Sequence, residues 1–208
     1  LFPSALPHVF SQWLKQLTLQ SDGILCISKN VADELLTWIK EEGIEVNHAL
    51  KIGWFHLGVD FQAVNYSKGL PTNADSVLER IKRTPSFVMV GTVEPRKAHL
   101  DVLLAFDELW KQDIDINLVI VGKRGWNNEL TIDLIESDEQ FNKKLIWLDK
   151  ASDEYLTAIF ANSAALIAAS YGEGFGLPII EAGYYGIPII ARDIPVFREV
   201  GTSNTVFF

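Results

Sequence analysis

After Pro85 the chain repeats one pattern: a short apolar run, a turn, a helix-length amphipathic segment, then another apolar run. The repeat predicts strands over 86–91, 117–122, 144–149, 164–170 and 188–192. It predicts helices over 97–111, 128–136, 153–162 and 177–185. Phe87-Val88-Met89-Val90 and Leu118-Val119-Ile120-Val121 are apolar at every position rather than every second one. Strands of that kind are buried on both faces, as in a parallel sheet covered by helices. The connections have the length of strand–helix–strand crossovers. Because such sheets bind ligands outside the carboxyl ends of their strands, the loops of interest are 91–97, 122–127, 149–152, 170–177 and 192–197.

The first third is less regular. Residues 9–19 read as an amphipathic helix carrying Val9, Phe10, Trp13, Leu14 and Leu17, followed by a strand over 23–27. Ser28 is placed to cap a helix through Val31, Leu35, Leu36 and Ile39 that stops at Gly43. Residues 51–57 read as another strand, ending in the turn Gly58-Val59-Asp60. The polar, turn-rich stretch 62–73, with Gly69-Leu70-Pro71, reads as a hinge. These readings divide the chain into the end of one α/β domain over 1–65, a linker over 66–80 and a second α/β domain over 81–208. The chain starts at Leu1 and stops in Thr205-Val206-Phe207-Phe208, so both ends read as cut from something longer.

Charge narrows the function classes. A formal net charge of −9 over 208 residues argues against a broad footprint for nucleic acid or anionic lipid. A small anionic ligand stays compatible, because two or three local cations are enough to hold a phosphate. Cys26, the one cysteine, sits in an apolar run and reads as a buried thiol, with no intrachain disulfide possible. That suits a cytoplasmic location. No apolar stretch approaches the ~20 residues that cross a bilayer, and there is no basic-then-apolar signal segment.

Two constellations stand out at predicted strand ends. In Gly91-Thr92-Val93-Glu94-Pro95-Arg96-Lys97, two adjacent cations fall where a helix is expected to begin. There they oppose the helix dipole, and a bound phosphate would relieve that. In Ser170-Tyr171-Gly172-Glu173-Gly174-Phe175-Gly176-Leu177-Pro178, alternating glycines permit a tight turn, and Pro178 suits an early helical position. Glu173 then lies in the loop and Glu181 about one turn inside the helix, a spacing suited to gripping two parts of an extended polar ligand. The bland alternatives are a solvated basic turn and a glycine-rich turn with two solvated glutamates. Other signatures fail: there is no dinucleotide fingerprint, and Gly122-Lys123-Arg124-Gly125 lacks the spacing of a phosphate-binding P-loop. The histidines His8, His48, His56 and His99 are scattered and suggest no metal cluster. His99 is close enough to Lys97 in sequence to approach a ligand, and Trp126 is a candidate cleft wall or core residue.

Taken together, Gly91 to Lys97, Glu173 to Pro178 and Glu181 resemble the donor-site motifs of GT4-type retaining glycosyltransferases, which have the GT-B fold of paired Rossmann-like domains. Ile24 to Ser28 and Gly58-Val59-Asp60 resemble the end of that family's first domain and the crossover into its second. The resemblance covers about residues 21–203 and implies a nearly complete donor-nucleotide domain behind the remnant of an acceptor-side domain. It implies that Lys97 and Arg96 hold the diphosphate of a nucleotide sugar beside Gly91 and Thr92. Glu173 would meet the transferred sugar, aided by backbone around Phe175, Gly176 and Leu177. Glu181 would take the ribose hydroxyls, and Leu148 to Lys150 would flank the base. No metal or separate cofactor is implied; the donor is a substrate. Thr92 departs from the pattern, since many members carry arginine there.

The Glu-Pro-Arg-Lys form resembles the mannosyltransferase branch, which implies GDP-mannose as donor, a glycan or lipid-linked acceptor, and polysaccharide biosynthesis in the cytoplasm or at the inner membrane face. Competing readings are a sugar-nucleotide epimerase or phosphorylase of similar architecture, or a binding module without turnover.

Overall fold

The computed structural model describes residues 6–46, 50–58 and 69–208. The expected turn at Val59-Asp60, the first part of the expected linker and His48 lie outside those residues. The chain divides into two compact units. One draws on Leu1–Gly58, Glu173–Gly176 and Ile194–Val200, the other on Val59–Gly172, Leu177–Asp193 and Gly201–Phe208.

In the first unit, α1 spans Leu6–Gln20, β1 Gly23–Cys26, α2 Lys29–Glu41 and β2 Lys51–Trp54. Strands β1 and β2 pair in parallel, Gly23 opposite Lys51 and Cys26 opposite Trp54. Cys26, Ala32, Leu35, Ile39 and Ile44 form the core, so the cysteine is a buried thiol. Ser28 caps α2, its Oγ accepting from Val31 N–H, and Gly43 follows the helix at φ 61°. Both features agree with the sequence reading.

In the second unit, the described residues form α3 (Ala74–Arg83), β3 (Ser86–Val90), α4 (His99–Lys111), β4 (Asn117–Val121), α5 (Glu129–Ser137) and β5 (Leu145–Leu148). They continue through α6 (Asp153–Asn162), β6 (Ala165–Ala168), α7 (Leu177–Tyr184), β7 (Ile189–Ala191) and β8 (Thr205–Phe207). Helix α8 (Pro195–Val200) lies between β7 and β8 in sequence but belongs to the first unit. Strands β3 to β8 form one parallel sheet in the order β5-β4-β3-β6-β7-β8. Phe87 pairs with Leu118 and Val90 with Val121, so the two fully apolar strands are neighbours in one parallel sheet.

Alternate side chains of a strand point to opposite faces. Met89 and Ile120 join Leu103, Phe106, Trp110, Ile132 and Ile135 from α4 and α5 in one core cluster. Val88 and Val119, of opposite parity, are also fully buried, and α6 packs on β3 and against α3. Helices therefore cover both faces, and the two sheets are consistent with a GT-B architecture. Residues 205–207, which carry no strand expectation of their own, add a sixth strand beside β7. Among the described residues, no helix is long and apolar enough to cross a membrane.

The strand order creates the site. From β3 the chain winds outward through β4 to β5, then returns to place β6 on the other side of β3 and winds outward again through β7. Where winding reverses, the loops leaving two adjacent strands diverge and open a crevice at their carboxyl ends. Here the reversal lies between β3 and β6, so the loop beginning at Gly91 and the loop beginning at Ala169 leave the sheet side by side.

Candidate functional site

The β3 loop folds back on itself. Gly91 has φ 140°, a conformation side-chain-bearing residues rarely adopt, and a Cβ there would lie 3.0 Å from Lys97 Cε and 3.2 Å from Lys97 Nζ. The Lys97 side chain thus lies over the carboxyl end of β3, brought there by a 3-10 turn over Pro95–Lys97. Lys97 N–H donates to Glu94 O at 3.0 Å and Ala98 N–H to Pro95 O at 3.1 Å.

Helix α4 starts at His99, two residues later than its sequence pattern suggests, because Ala98 takes a left-handed conformation at φ 58° and separates the turn from the helix. The two cations therefore do not occupy the first turn of α4, which carries Asp101 instead, the favourable sign at the positive end of the dipole. The dipole conflict inferred from sequence does not exist; the fold-back takes its place as the reason a lysine sits at the strand end.

The neighbouring β4 loop holds this conformation. Gly91 N–H donates to Val121 O at 2.9 Å and Val93 N–H to Lys123 O at 2.9 Å, while Asn128 Nδ2 donates to Val93 O at 2.5 Å. Gly122 permits the approach: a Cβ there would be 1.9 Å from Gly91 O. The Gly122-Lys123-Arg124-Gly125 segment, which fails as a P-loop, thus has a supporting role.

Arg96 points to the β6 loop. Its guanidinium donates to Gly172 O at 2.7 Å and to Glu94 Oε1 at 2.6 Å, and its own carbonyl accepts from Tyr171 N–H at 2.9 Å. The two loops are thereby tied in both directions. Thr92 is exposed, Lys97 half-buried, Leu148 half-buried at the end of β5, and Lys150 exposed just beyond it. Trp126 is half-buried in the β4 loop.

His99 is 2 % exposed, and its Nδ1 finds no hydrogen-bond partner among the described residues. Burial, aided by the nearby Lys97 charge and opposed by a hydrogen bond with Glu94 backbone, lowers its pKa to about 4. It is a neutral packing residue under the Lys97 turn.

Glu181 is half-buried on α7, whose second residue is Pro178. Burial raises its pKa, and the charge of Asp153 adds to the effect. Leu177, which opens the helix, is exposed.

In the first unit, the segment Glu173–Gly176 is held by its own neighbours. Ser28 Oγ, besides capping α2, donates to Gly174 O at 2.7 Å. Phe175 is buried and its ring packs on His56, centroids 5.5 Å apart. Gly176 has φ 97° and lies against the Phe197 ring. Glu199 accepts from the N–H groups of Lys29 (2.7 Å) and Asn30 (2.8 Å) and from His56 Nε2 (2.7 Å). Burial pushes its pKa up, but these hydrogen bonds outweigh it and the net shift is downward. Glu173 is half-buried. The structure brings together Gly91, Arg96 and Lys97 in the second unit, with Glu181 in the same unit and Glu173, Phe175 and Gly176 in the other.

Three residues that the sequence reading passed over border the tied loops: Asp101, Tyr171 and Arg192. Tyr171 OH donates to Asp101 Oδ2 at 2.5 Å, and Arg192 Nη2 reaches the same oxygen at 3.0 Å. Tyr171 lies inside the glycine-rich stretch just before the recognised motif and Arg192 opens the loop 192–197, but nothing local marks Asp101 as their partner, and Asp101 and Arg192 are 91 positions apart.

The chain is similar to several known proteins. The chain is 45% identical over 201 residues to serotype-specific mannosyltransferase WbdA of Escherichia coli, covering 96% of this chain and 25% of the relative. It is 31% identical over 112 residues to O-antigen chain mannosyltransferase B of Escherichia coli, covering 53% of this chain and 29% of that protein. The chain spans about a quarter of the length of these curated relatives.

Among solved structures, an alpha,alpha-trehalose 6-phosphate synthase from Burkholderia multivorans matches with a TM-score of 0.73 at 14% identity, over 98% of this chain and 52% of that one. HepE of Anabaena, solved with UDP and glucose, matches with a TM-score of 0.69 at 15% identity, over 97% and 54%. At those identities the likeness concerns the fold. The sequence model "Glycosyl transferases group 1" matches residues 72–205, which span β3 to β7 and both tied loops, and the chain therefore belongs to that glycosyltransferase family.

Proposed function

We propose that this chain carries the donor site of a retaining hexosyltransferase that moves mannose from GDP-mannose to a glycan or lipid-linked acceptor. The observation that carries the reading is the Lys97 side chain folded over Gly91 at the carboxyl end of β3, in a member of this family. In the proposed reaction the bond between the anomeric carbon and the diphosphate breaks, the acceptor hydroxyl bonds to that carbon on the same face, and the hydroxyl proton passes to the departing diphosphate. The departing nucleoside diphosphate gains negative charge, and an ammonium already in place stabilises it without reorganising.

Lys97, with Gly91 and Thr92, takes the diphosphate, and Arg96 contributes from beside it. Glu181 takes the ribose hydroxyls: a carboxylate accepts two hydrogen bonds and a cis-diol offers them. Glu173, with the backbone of Phe175, Gly176 and Leu177, takes the transferred sugar. Leu148 and Lys150 flank the base. Mannose and a glycan acceptor are supported by the relatives, which are mannosyltransferases by name, one of them of an O-antigen chain. The enzyme would then act in polysaccharide biosynthesis, in the cytoplasm or at the inner face of the membrane. In domain terms, residues 1–65 are the end of an acceptor-side domain and 81–208 the bulk of the donor domain; of the linker expected over 66–80, residues 74–80 are the first part of α3 and pack with the second unit, while 173–176 and 194–200 group with the first unit.

Titration calorimetry with GDP, UDP and ADP tests the donor. GDP should bind most tightly, and Lys97→Ala should weaken it by about 1.5–3 kcal/mol, the scale of a charge-assisted hydrogen bond. Guanosine should lose much less. Equal losses for GDP and guanosine would mean that Lys97 supports packing rather than the diphosphate, and UDP preference would replace the base assignment.

A further inference from the structure

Asp101, Tyr171 and Arg192 come from three separate elements and meet at the point where the sheet reverses its winding. Tyr171 is the key. Its N–H donates to Arg96 O, in the turn that carries Lys97, and its hydroxyl donates to Asp101 Oδ2 at 2.5 Å, in the first turn of α4. One residue of the β6 loop therefore grips the Lys97 turn and the helix that follows it. Arg192, just beyond β7, closes the arrangement. Its Nε–H donates to Ala169 O at 2.7 Å, its Nη2 reaches Asp101 Oδ2 at 3.0 Å, and its guanidinium lies 4.3 Å from the Tyr171 ring centroid.

We infer that Asp101, Tyr171 and Arg192 are positioning residues, a latch that holds the Lys97 turn in register with the β6 loop and so sets where the ammonium meets a diphosphate. The inference rests on the proposed role of Lys97. The latch is poorly suited to being a mere stabiliser. The Asp101 side chain is 46 % exposed and that of Arg192 26 %, and ion pairs so open to water contribute little to folding. Position is a different matter, because a displacement of about 1 Å in a catalytic group lowers rates by about a hundred-fold. Ala98, left-handed and buried between Lys97 and α4, separates the turn from the helix; Tyr171 spans that break, holding Arg96 O on one side and Asp101 on the other.

The test uses the intact protein and calorimetry with GDP and with guanosine. Tyr171→Phe and Asp101→Asn each keep shape and weaken or remove the same hydrogen bond. Each should weaken GDP by about three- to ten-fold, the worth of one such bond, while guanosine changes by less than about two-fold. Because the Tyr171–Asp101 bond is common to both, although Asp101→Asn also weakens the contact with Arg192, the loss in the double variant should be less than the sum of the two single losses. In a Lys97→Ala background, Tyr171→Phe should lose its effect on GDP.

Additive single effects, equal losses for GDP and guanosine, unchanged GDP affinity, or an undiminished Tyr171→Phe effect without Lys97 would each overturn the latch. A fall in melting temperature of more than about 5 °C in Tyr171→Phe would assign the cluster to folding instead. Failure of the underlying reading looks different: Lys97→Ala would then bind GDP as the wild type does.

Discussion

His99 offers a measurement of how the ground under the Lys97 turn is built. Its pKa falls from 6.5 to about 4, chiefly through burial and then through the Lys97 charge. In the unfolded chain it titrates at its ordinary value, so between those two values the unfolded state binds the extra proton. Stability from this group is complete above pH 6.5 and is lost as pH falls toward 4. A shift of about 2.5 units corresponds to about 3 kcal/mol at full expression and about 2 kcal/mol already at pH 5.

Urea unfolding at a series of pH values from 7.5 to 4.5 should show a His99 contribution that falls by about 1.4 kcal/mol per unit in the steep part, set against the opposite slope of Asp107. The difference between wild type and His99→Gln should change with that slope. Lys97→Ala should flatten the wild-type profile, because one of the two causes has been removed, although burial remains. A His99→Gln profile parallel to that of the wild type throughout would refute the assignment of His99 as a buried neutral group.

Gly122→Ala should destabilise by about 3 kcal/mol or more, since its methyl group would overlap Gly91 O at 1.9 Å and backbone cannot yield cheaply; a melting temperature within a degree of wild type would show that the β3 and β4 loops separate easily. Ser28→Ala should lower stability by about 2 kcal/mol, combining a lost helix cap with a stranded Gly174 carbonyl, and Ser28→Thr should restore most of it in the same denaturation assay. Asp107 has its pKa raised to about 6 by burial and by the charge and hydrogen bond of Asp138. Its folded state thus favours the protonated form, and the advantage is lost as pH rises through 6. Asp107→Asn should therefore stabilise the fold at pH 7.5 by no more than about 1 kcal/mol for a half-buried group, raising the melting temperature, and the gain should vanish by pH 4.

Local features were legible because they are written in contiguous residues. Two uninterrupted apolar runs announced doubly covered parallel strands, Ser28 announced a cap that the structure contains, and Pro178 announced the start of α7. The motifs over Gly91 to Lys97 and Glu173 to Pro178 resemble those of retaining glycosyltransferases, and the chain belongs to a glycosyltransferase family. Less visible was Thr205–Phe207, whose three residues are too short for a period to register and become a strand only by pairing with β7. Helix α4 starts later than its pattern suggests because Ala98, a strong helix former by propensity, takes a left-handed conformation between the Lys97 turn and the helix. Contiguous residues thus specify a set of strands and helices with the right faces. Tertiary structure alone decided that β6 lies beside β3, and with it that Arg96 reaches Gly172 and that Tyr171 braces the turn bearing Lys97. The physical reason is that periodicity and capping energies are local, whereas several strand orders satisfy the same local pattern, and the choice among them is made by which side chains pack together across the finished sheet.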